Sequence, residues 1–232
     1  MPTTTYSYEE YRDMEQIAEA YTIILRNITD KLRDKDDSSQ NDGRFIFIHN
    51  GSQTRLLDIF RSVSKNFGRN DKIKFVDAGA GVGNVLKLAY IGFRNNHNLS
   101  IKGIEIDKRL EEYQKLLGTN RNIKWGDILK EDYKDYNVIY FYRPFSDSKL
   151  QRKFEKRVGE TAKVGSYIIP FDCGDYYFAN PKYFKREEGY FKKIKKVKKY
   201  KGSEEYCECG YKLSFGKDCE YCKKAREVKK CK

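Results

Sequence analysis

The chain has 232 residues, 39% of them hydrophobic and 35% charged, with a formal net charge of +13 and a mean hydropathy of −0.84. No window comes near the roughly 18 apolar residues that a membrane-spanning helix needs, and a 15% aromatic content is too rich for a disordered chain. The length suits one α/β domain plus an appendage.

In chain order, the segment from Tyr8 to about Leu32 carries Met14, Ile17, Ala18, Tyr21, Ile24, Leu25, Ile28 and Leu32 at helical spacing. Asp34–Gly43 is a polar loop by composition. A short apolar piece, Phe45–Ile48, precedes a helix expected over Gln53–Asn66, with Leu56, Leu57, Ile59 and Phe60 on its apolar side. Residues 1–66 hold no catalytic signature. They are read as an N-terminal helical cap, with a substrate gate as the alternative. The opening MPTTTYSYEEYRDMEQ lacks the basic and apolar regions of a secretory signal, so an intracellular, cytoplasmic protein without a membrane partner is expected.

From Lys72 the pattern alternates between strand and helix. KIKFVDA (72–78), SIKGIEI (100–106), NIKWGD (122–127), NVIYFY (137–142) and SYIIPFD (166–172) read as strands. Val82–Phe93, Lys108–Leu117 and Asp147–Val164 read as helices between them. Such alternation predicts an α/β, doubly wound, mostly parallel sheet over residues 67–201. Ligands in these sheets bind at the carboxyl ends of the strands. The first strand ends in Asp77-Ala78-Gly79-Ala80-Gly81-Val82-Gly83-Asn84. Glycines let the backbone turn sharply and approach a ligand closely. A dinucleotide fingerprint would have glycine where Asn84 stands. Asp77 suits an ammonium or sulfonium better than a pyrophosphate, because opposite charges attract strongly at a partly buried site.

This D-x-G-x-G-x-G pattern resembles motif I of the class I, Rossmann-like S-adenosylmethionine-dependent methyltransferases. The likeness runs over roughly Asn66–Asp172 and continues in Gly103-Ile104-Glu105-Ile106-Asp107 and Trp125-Gly126-Asp127-Ile128. It implies S-adenosylmethionine as cofactor, held by Asp77, Gly79, Ala80, Gly81, Gly83 and Asn84. It further implies that Glu105, followed by Ile106, receives the two ribose hydroxyls. Asp127 would receive the adenine amino group, with the Ile128 N–H reaching the ring. Taken singly, Asp127 could equally be a turn cap and Glu105 a solvated strand-end acid.

The fourth strand should present the methyl acceptor. Amino-methylating nucleic-acid enzymes of this class carry Asp or Asn, then Pro-Pro and an aromatic that stacks on the flipped base. Tyr142-Arg143-Pro144-Phe145 keeps one proline and the aromatic but has Tyr at the acidic or amide position. The stretch is similar, more loosely, to non-SET protein lysine methyltransferases. The resemblance therefore implies transfer to a macromolecular acceptor, with a protein lysine amine ahead of RNA or DNA. A nucleic-acid-binding protein with a degenerate methyltransferase fold is the alternative, and a small-molecule methyltransferase a third reading. Candidate acceptor-site residues are Tyr142, which would also border the cofactor, and Phe145, with Asp172 to bind or deprotonate an amine. Alternatively Pro144 only shapes the turn while Tyr142 and Phe145 pack beneath the cofactor. Arg143 either anchors an acidic group or points to solvent. Methyl transfer needs mainly alignment and exclusion of water, and neither His49 nor His97 is persuasive as a base.

Residues 1–181 hold 29 Lys and Arg against 26 Asp and Glu, and residues 182–232 hold 18 against 8. The surplus thus sits mainly after Pro181. The lysine-rich stretch Tyr190–Lys201 is expected as the sixth strand, with a solvated edge or a strip contacting phosphates as its two readings. Cys207, Cys209, Cys219 and Cys222 in the tail 202–232 have a spacing that can close a tetrahedral zinc site, with Cys231 as a substitute ligand. The competing reading makes Cys207 and Cys209 ordinary residues of a last strand.

Overall fold

The computed structural model describes residues 53–171 and 177–197, together with the isolated positions Glu9, Arg12 and Gln16. Helix α1 (Gln53–Ser64) precedes β1 (Lys72–Ala78), α2 (Asn84–Gly92) and β2 (Asn98–Glu105). Then come α3 (Glu111–Leu116), β3 (Ile123–Trp125), β4 (Val138–Phe141), α4 (Ser148–Thr161) and β5 (Tyr167–Pro170), closed by β6 (Phe184–Glu187) and β7 (Tyr190–Lys193). The seven strands among the described residues form one sheet in the order β3-β2-β1-β4-β5-β7-β6. Strands β1 to β5 pair in parallel, and β7 runs antiparallel to both its neighbours.

Helices cover both faces, and the strands read accordingly. Val138–Phe141 and Tyr167–Pro170 are buried at every position, which is why they are continuous apolar runs rather than alternating ones. On one face Leu56, Ile59, Phe60 and Val63 of α1 join the core formed with Phe75, Leu88, Tyr140 and Tyr167. Phe60 packs edge-on against Phe75 and Tyr140, at 5.4 and 5.8 Å between ring centroids. A side chain at Gly92 would come within 2.5 Å of the Phe60 Cβ, so a glycine lets α1 press onto α2. On the other face Phe154 and Val158 of α4 meet Ile139, Phe141 and Ile168.

The helices start later than their periodicity suggests, for local reasons. Helix α2 begins at Asn84 because Gly83 has a φ of 88°, in the left-handed region. The helix expected over Lys108–Leu117 is divided into a 3-10 turn, Lys108–Leu110, and α3, with the Asp107 side chain accepting from the Arg109 N–H. Asp147 caps α4 by accepting from the Lys149 and Leu150 N–H groups, at 2.9 and 2.8 Å.

The lysine-rich stretch departs from expectation. Tyr190–Lys193 is the seventh strand and lies inside the sheet, while Phe184–Glu187 forms the edge. Charge suggested an exposed edge, but Lys193 is only 1% exposed. Its ammonium donates to the carbonyls of Gly159 (2.7 Å) and Ala162 at the carboxyl end of α4. Among the described residues no helix is long and apolar enough to cross a membrane.

Candidate cofactor and acceptor site

The carboxyl end of β1 passes straight into the glycine turn. The N–H groups of Gly79 and Ala80 both donate to the Ile104 carbonyl at 3.0 Å, folding the turn over β2. That closeness requires Gly103, where a Cβ would lie 2.6 Å from the Ala80 Cβ. Gly83 is equally confined, with Thr119 2.6 Å from its hypothetical Cβ. Gly81 differs: its φ is 55°, and among the described residues no atom beyond its chain neighbours lies within 4 Å of where its Cβ would be. Among the described residues, nothing crowds the turn at Gly81.

Asp77 is 2% exposed. Burial first, and then the negative charge of Glu105, lift its carboxyl well above the usual carboxylate range. Glu105 is itself raised by burial, although hydrogen bonds from backbone N–H groups pull the other way. Its Oε2 accepts from the Gly81 N–H at 2.7 Å, and its Oε1 accepts from Ile106 and Asp107 at 2.7 and 2.9 Å. An ionised carboxylate has about four acceptor positions. Glu105 thus spends three of them clamping the glycine turn to the end of β2 and keeps about one for a ligand hydroxyl. Sequence reasoning missed this clamp.

Two further supports were also missed. Buried Gln114 of α3 donates from Nε2 to the Gly81 carbonyl at 2.8 Å. Buried Thr119 donates from Oγ1 to the Val82 carbonyl at 2.7 Å. One signal was available: Gln114 interrupts the apolar stripe of Leu110 and Leu117 at helical spacing.

At the first position of α2, Asn84 buries its Nδ2 without a hydrogen-bond partner among the described residues. Ile106, beside Glu105, leaves 47% of its surface exposed. Asp107 is taken up by Arg109, at 2.7 Å; partial burial raises its pKa, but the guanidinium and the Arg109 N–H bring it below the ordinary value. Asp127 accepts from the Leu129 N–H through Oδ1 at 2.9 Å, so it acts as a turn cap. Ile128 is buried, and its carbonyl accepts from the Tyr133 hydroxyl at 3.0 Å.

On the acceptor side, half-buried Tyr142 follows β4 with its ring 6.1 Å from that of Phe171, which follows β5. The Arg55 guanidinium of α1 stands 5.7 Å over the Phe171 ring. Arg143 has a φ of 29°, and the Pro144 Cβ lies 3.3 Å from the hypothetical Cβ of Gly79. Phe145, expected at the acceptor, is 4% exposed and packs 5.9 Å from Phe154 in the core. Its ring supports the loop from beneath. Asp172 and all four cysteines, Cys207, Cys209, Cys219 and Cys222, lie outside the described residues. Among the described residues no group of three His, Cys, Asp or Glu could hold a metal ion.

The five parallel strands are completed by an antiparallel β6–β7 hairpin, with acids at the carboxyl ends of the first three. The architecture matches the class I methyltransferase fold. No protein-family model matches the chain, and no curated protein does. Among solved structures similar to this methyltransferase fold is an RNA methyltransferase from Salinibacter ruber in complex with S-adenosyl-L-homocysteine. It is 17% identical with a TM-score of 0.43, over 65% of this chain and 97% of that one. An S-adenosylmethionine-dependent methyltransferase from Clostridium acetobutylicum is 14% identical with a TM-score of 0.41, over 57% and 55% of the two chains. A mitomycin 7-O-methyltransferase is 17% identical with a TM-score of 0.37, over 48% of this chain and 34% of that one. The chain thus spans about a third of the mitomycin enzyme and about half of the Clostridium one.

Proposed function

We propose that the protein is an S-adenosylmethionine-dependent methyltransferase with a macromolecular acceptor. The observation that carries this reading is the buried Asp77 beside Glu105 at a glycine turn that nothing among the described residues crowds at Gly81. Two neighbouring buried acids are costly unless a cation comes to meet them, and a ligand bearing an ammonium and a sulfonium meets that need. The residues present fit the cofactor, which supplies an already activated methyl group. Asp77 attracts its cationic end, the free acceptor position of Glu105 takes a ribose hydroxyl, and Ile106 offers an apolar face to the base. The Asn84 amide holds a donor in reserve for an acceptor on the ligand. Asp127 shapes the turn at the adenine end, and Tyr142, next to the Pro144–Gly79 contact, orients the methyl acceptor. Phe145, packed beneath, and Asp172, by its place after β5, are supporting assignments. Calorimetric titration with S-adenosylmethionine tests the reading: the wild type binds and Asp77→Ala does not. A wild type that fails to bind would refute it.

Different observations favour two acceptor classes. The motif likeness supports a protein lysine amine, whereas the basic surplus after Pro181 supports a nucleic acid. For the tail, the spacing of the four cysteines supports a structural zinc ion. Metal analysis after chelator-free purification should find about one zinc per chain, and freely reactive thiols with no bound metal would remove the site.

A further inference from the structure

We propose that a nucleic-acid strand docks on a basic strip at the end of the sheet away from the glycine turn, with Lys163, Lys195 and Lys196 meeting its phosphates. Three chain segments converge there. The turn before β5 is tied to the end of β7: the Gly165 N–H donates to the Lys193 carbonyl at 2.8 Å, and the Lys193 N–H to that of Ser166 at 2.9 Å. The approach to β6 joins them, its Tyr183 carbonyl accepting from the Ile194 and Lys195 N–H groups at 2.9 and 3.4 Å. These bonds bring together Lys163, Lys195 and Lys196, which are all exposed. None of the three makes an ion pair among the described residues. Burial lowers the pKa of Lys193, Glu160 opposes, and the charge of Lys196 adds to the fall, so Lys196 stands close to the same point. Glu160 is half-buried and shared with Lys156 at 3.9 Å. On the β4 side the strip ends at Asp135, next to the Tyr136 carbonyl that accepts from the Ser166 hydroxyl at 2.8 Å.

The chemistry of the strip selects its partner. Clustered cations repel one another, and a polyanion that sheds counterions as it binds relieves them. The positive run lengthens along the chain with Lys198, Lys199 and Lys201, which suits a linear array of phosphates. Val164 and Ile194, 53% and 46% exposed, stand beside these lysines and offer apolar contact to sugars and bases. They are too small to hold a bilayer. Together they bring roughly seven side-chain carbons, about half of a myristoyl chain, which alone binds membranes only marginally. The docking does not depend on the methyltransferase reading, and its test contains no cofactor.

Fluorescence anisotropy tests this, with the full-length protein and labelled mixed-sequence 12-nucleotide strands, one RNA and one DNA. Binding of either strand is expected, and the ratio of the two affinities distinguishes RNA from DNA. Lys163→Ala and Lys195→Ala should each weaken binding at least threefold, and the double variant at least tenfold. Each should also make the slope of log affinity against log salt shallower by about 0.7, the share of one phosphate contact on a single strand. Lys102→Ala, which removes an exposed lysine of β2, should stay within twofold of the wild type. Binding that both substitutions leave unchanged would lie on residues 198–232 alone and overturns the proposal. An equal loss in Lys102→Ala does so too, as does a wild type that binds neither strand. Tighter binding to polyglutamate or to phosphatidylserine vesicles than to either strand would assign the strip to another partner and overturn it as well.

Discussion

Asp77 and Glu105 are neighbouring buried acids, yet substitution should act on them in opposite directions. Asp77 has its carboxyl raised by burial and by Glu105. A carboxyl raised in the folded state favours folding below the ordinary carboxylate range, and that advantage is lost as pH rises through the folded value. Asp77→Asn should therefore raise the Tm of the ligand-free protein near neutral pH, with the gain vanishing toward pH 4 in a series of thermal melts. The same change should weaken S-adenosylmethionine at least tenfold, about 1.4 kcal/mol or more. Glu105 instead holds three backbone N–H groups. Glu105→Gln offers one oxygen and a misplaced donor, and should cost about 1–3 kcal/mol in denaturant unfolding. The positions of both acids were legible because each stands where an apolar run stops. The clamp was not, since the Gly81–Glu105 bond joins residues 24 apart that only the pairing of β1 with β2 brings together. Phe145 was ambiguous in sequence, an acceptor-site aromatic or one packed beneath the cofactor, because the helix that brings Phe154 to its ring comes later in the chain.

Among the elements, α3 and β7 carry most of what sequence could not reveal. Helix α3 is short, and its contribution is to present Gln114 to the glycine turn. Gln114→Leu keeps the volume and the apolar stripe but removes the bond to the Gly81 carbonyl. Steady-state kinetics should show a severalfold higher KM for S-adenosylmethionine with kcat little changed, the pattern of lost uniform binding. Strand β7 looked like an edge because lysines ordinarily seek solvent. Burial pulls the pKa of Lys193 down to about 8, with Glu160 opposing and Lys196 assisting. Between that value and the ordinary lysine value the unfolded chain binds more protons. Stability should accordingly rise with pH across roughly 8 to 10.5, and Lys193→Met should flatten the rise. The same substitution leaves the α4 carbonyls without their donor and should destabilise by about 1–3 kcal/mol in urea unfolding. The strands buried on both faces, β4 and β5, were readable because burial and apolarity coincide in them.

Across the whole molecule, charge and chemistry are separated along the chain. The acids of the glycine-turn site lie in a portion whose charges nearly balance, while the basic surplus follows Pro181. Salt should therefore act on two bindings very differently. Between about 0.05 and 0.2 M NaCl, affinity for a nucleic-acid strand should fall by orders of magnitude if several phosphates are neutralised. Affinity for S-adenosylmethionine, set by buried groups that salt screens weakly, should stay within about twofold. Fluorescence anisotropy and calorimetry on one preparation measure both.

The direction of β7 sets where the remainder of that basic segment leaves the sheet. Because β7 is antiparallel to β5, Lys193 lies level with Ser166, exchanging N–H and carbonyl contacts with Ser166 and Gly165. The chain therefore leaves the sheet from the rim where the parallel strands begin. Asp77, Glu105, Asp127 and Tyr142 gather at the other rim. The register sets Ser166 level with Asn137 of β4 and Lys74 of β1, so three residues along β1, roughly 10 Å, separate that level from Asp77. A ligand gripped at both would have to run along the strands over that height, which an extended polymer does as a matter of course.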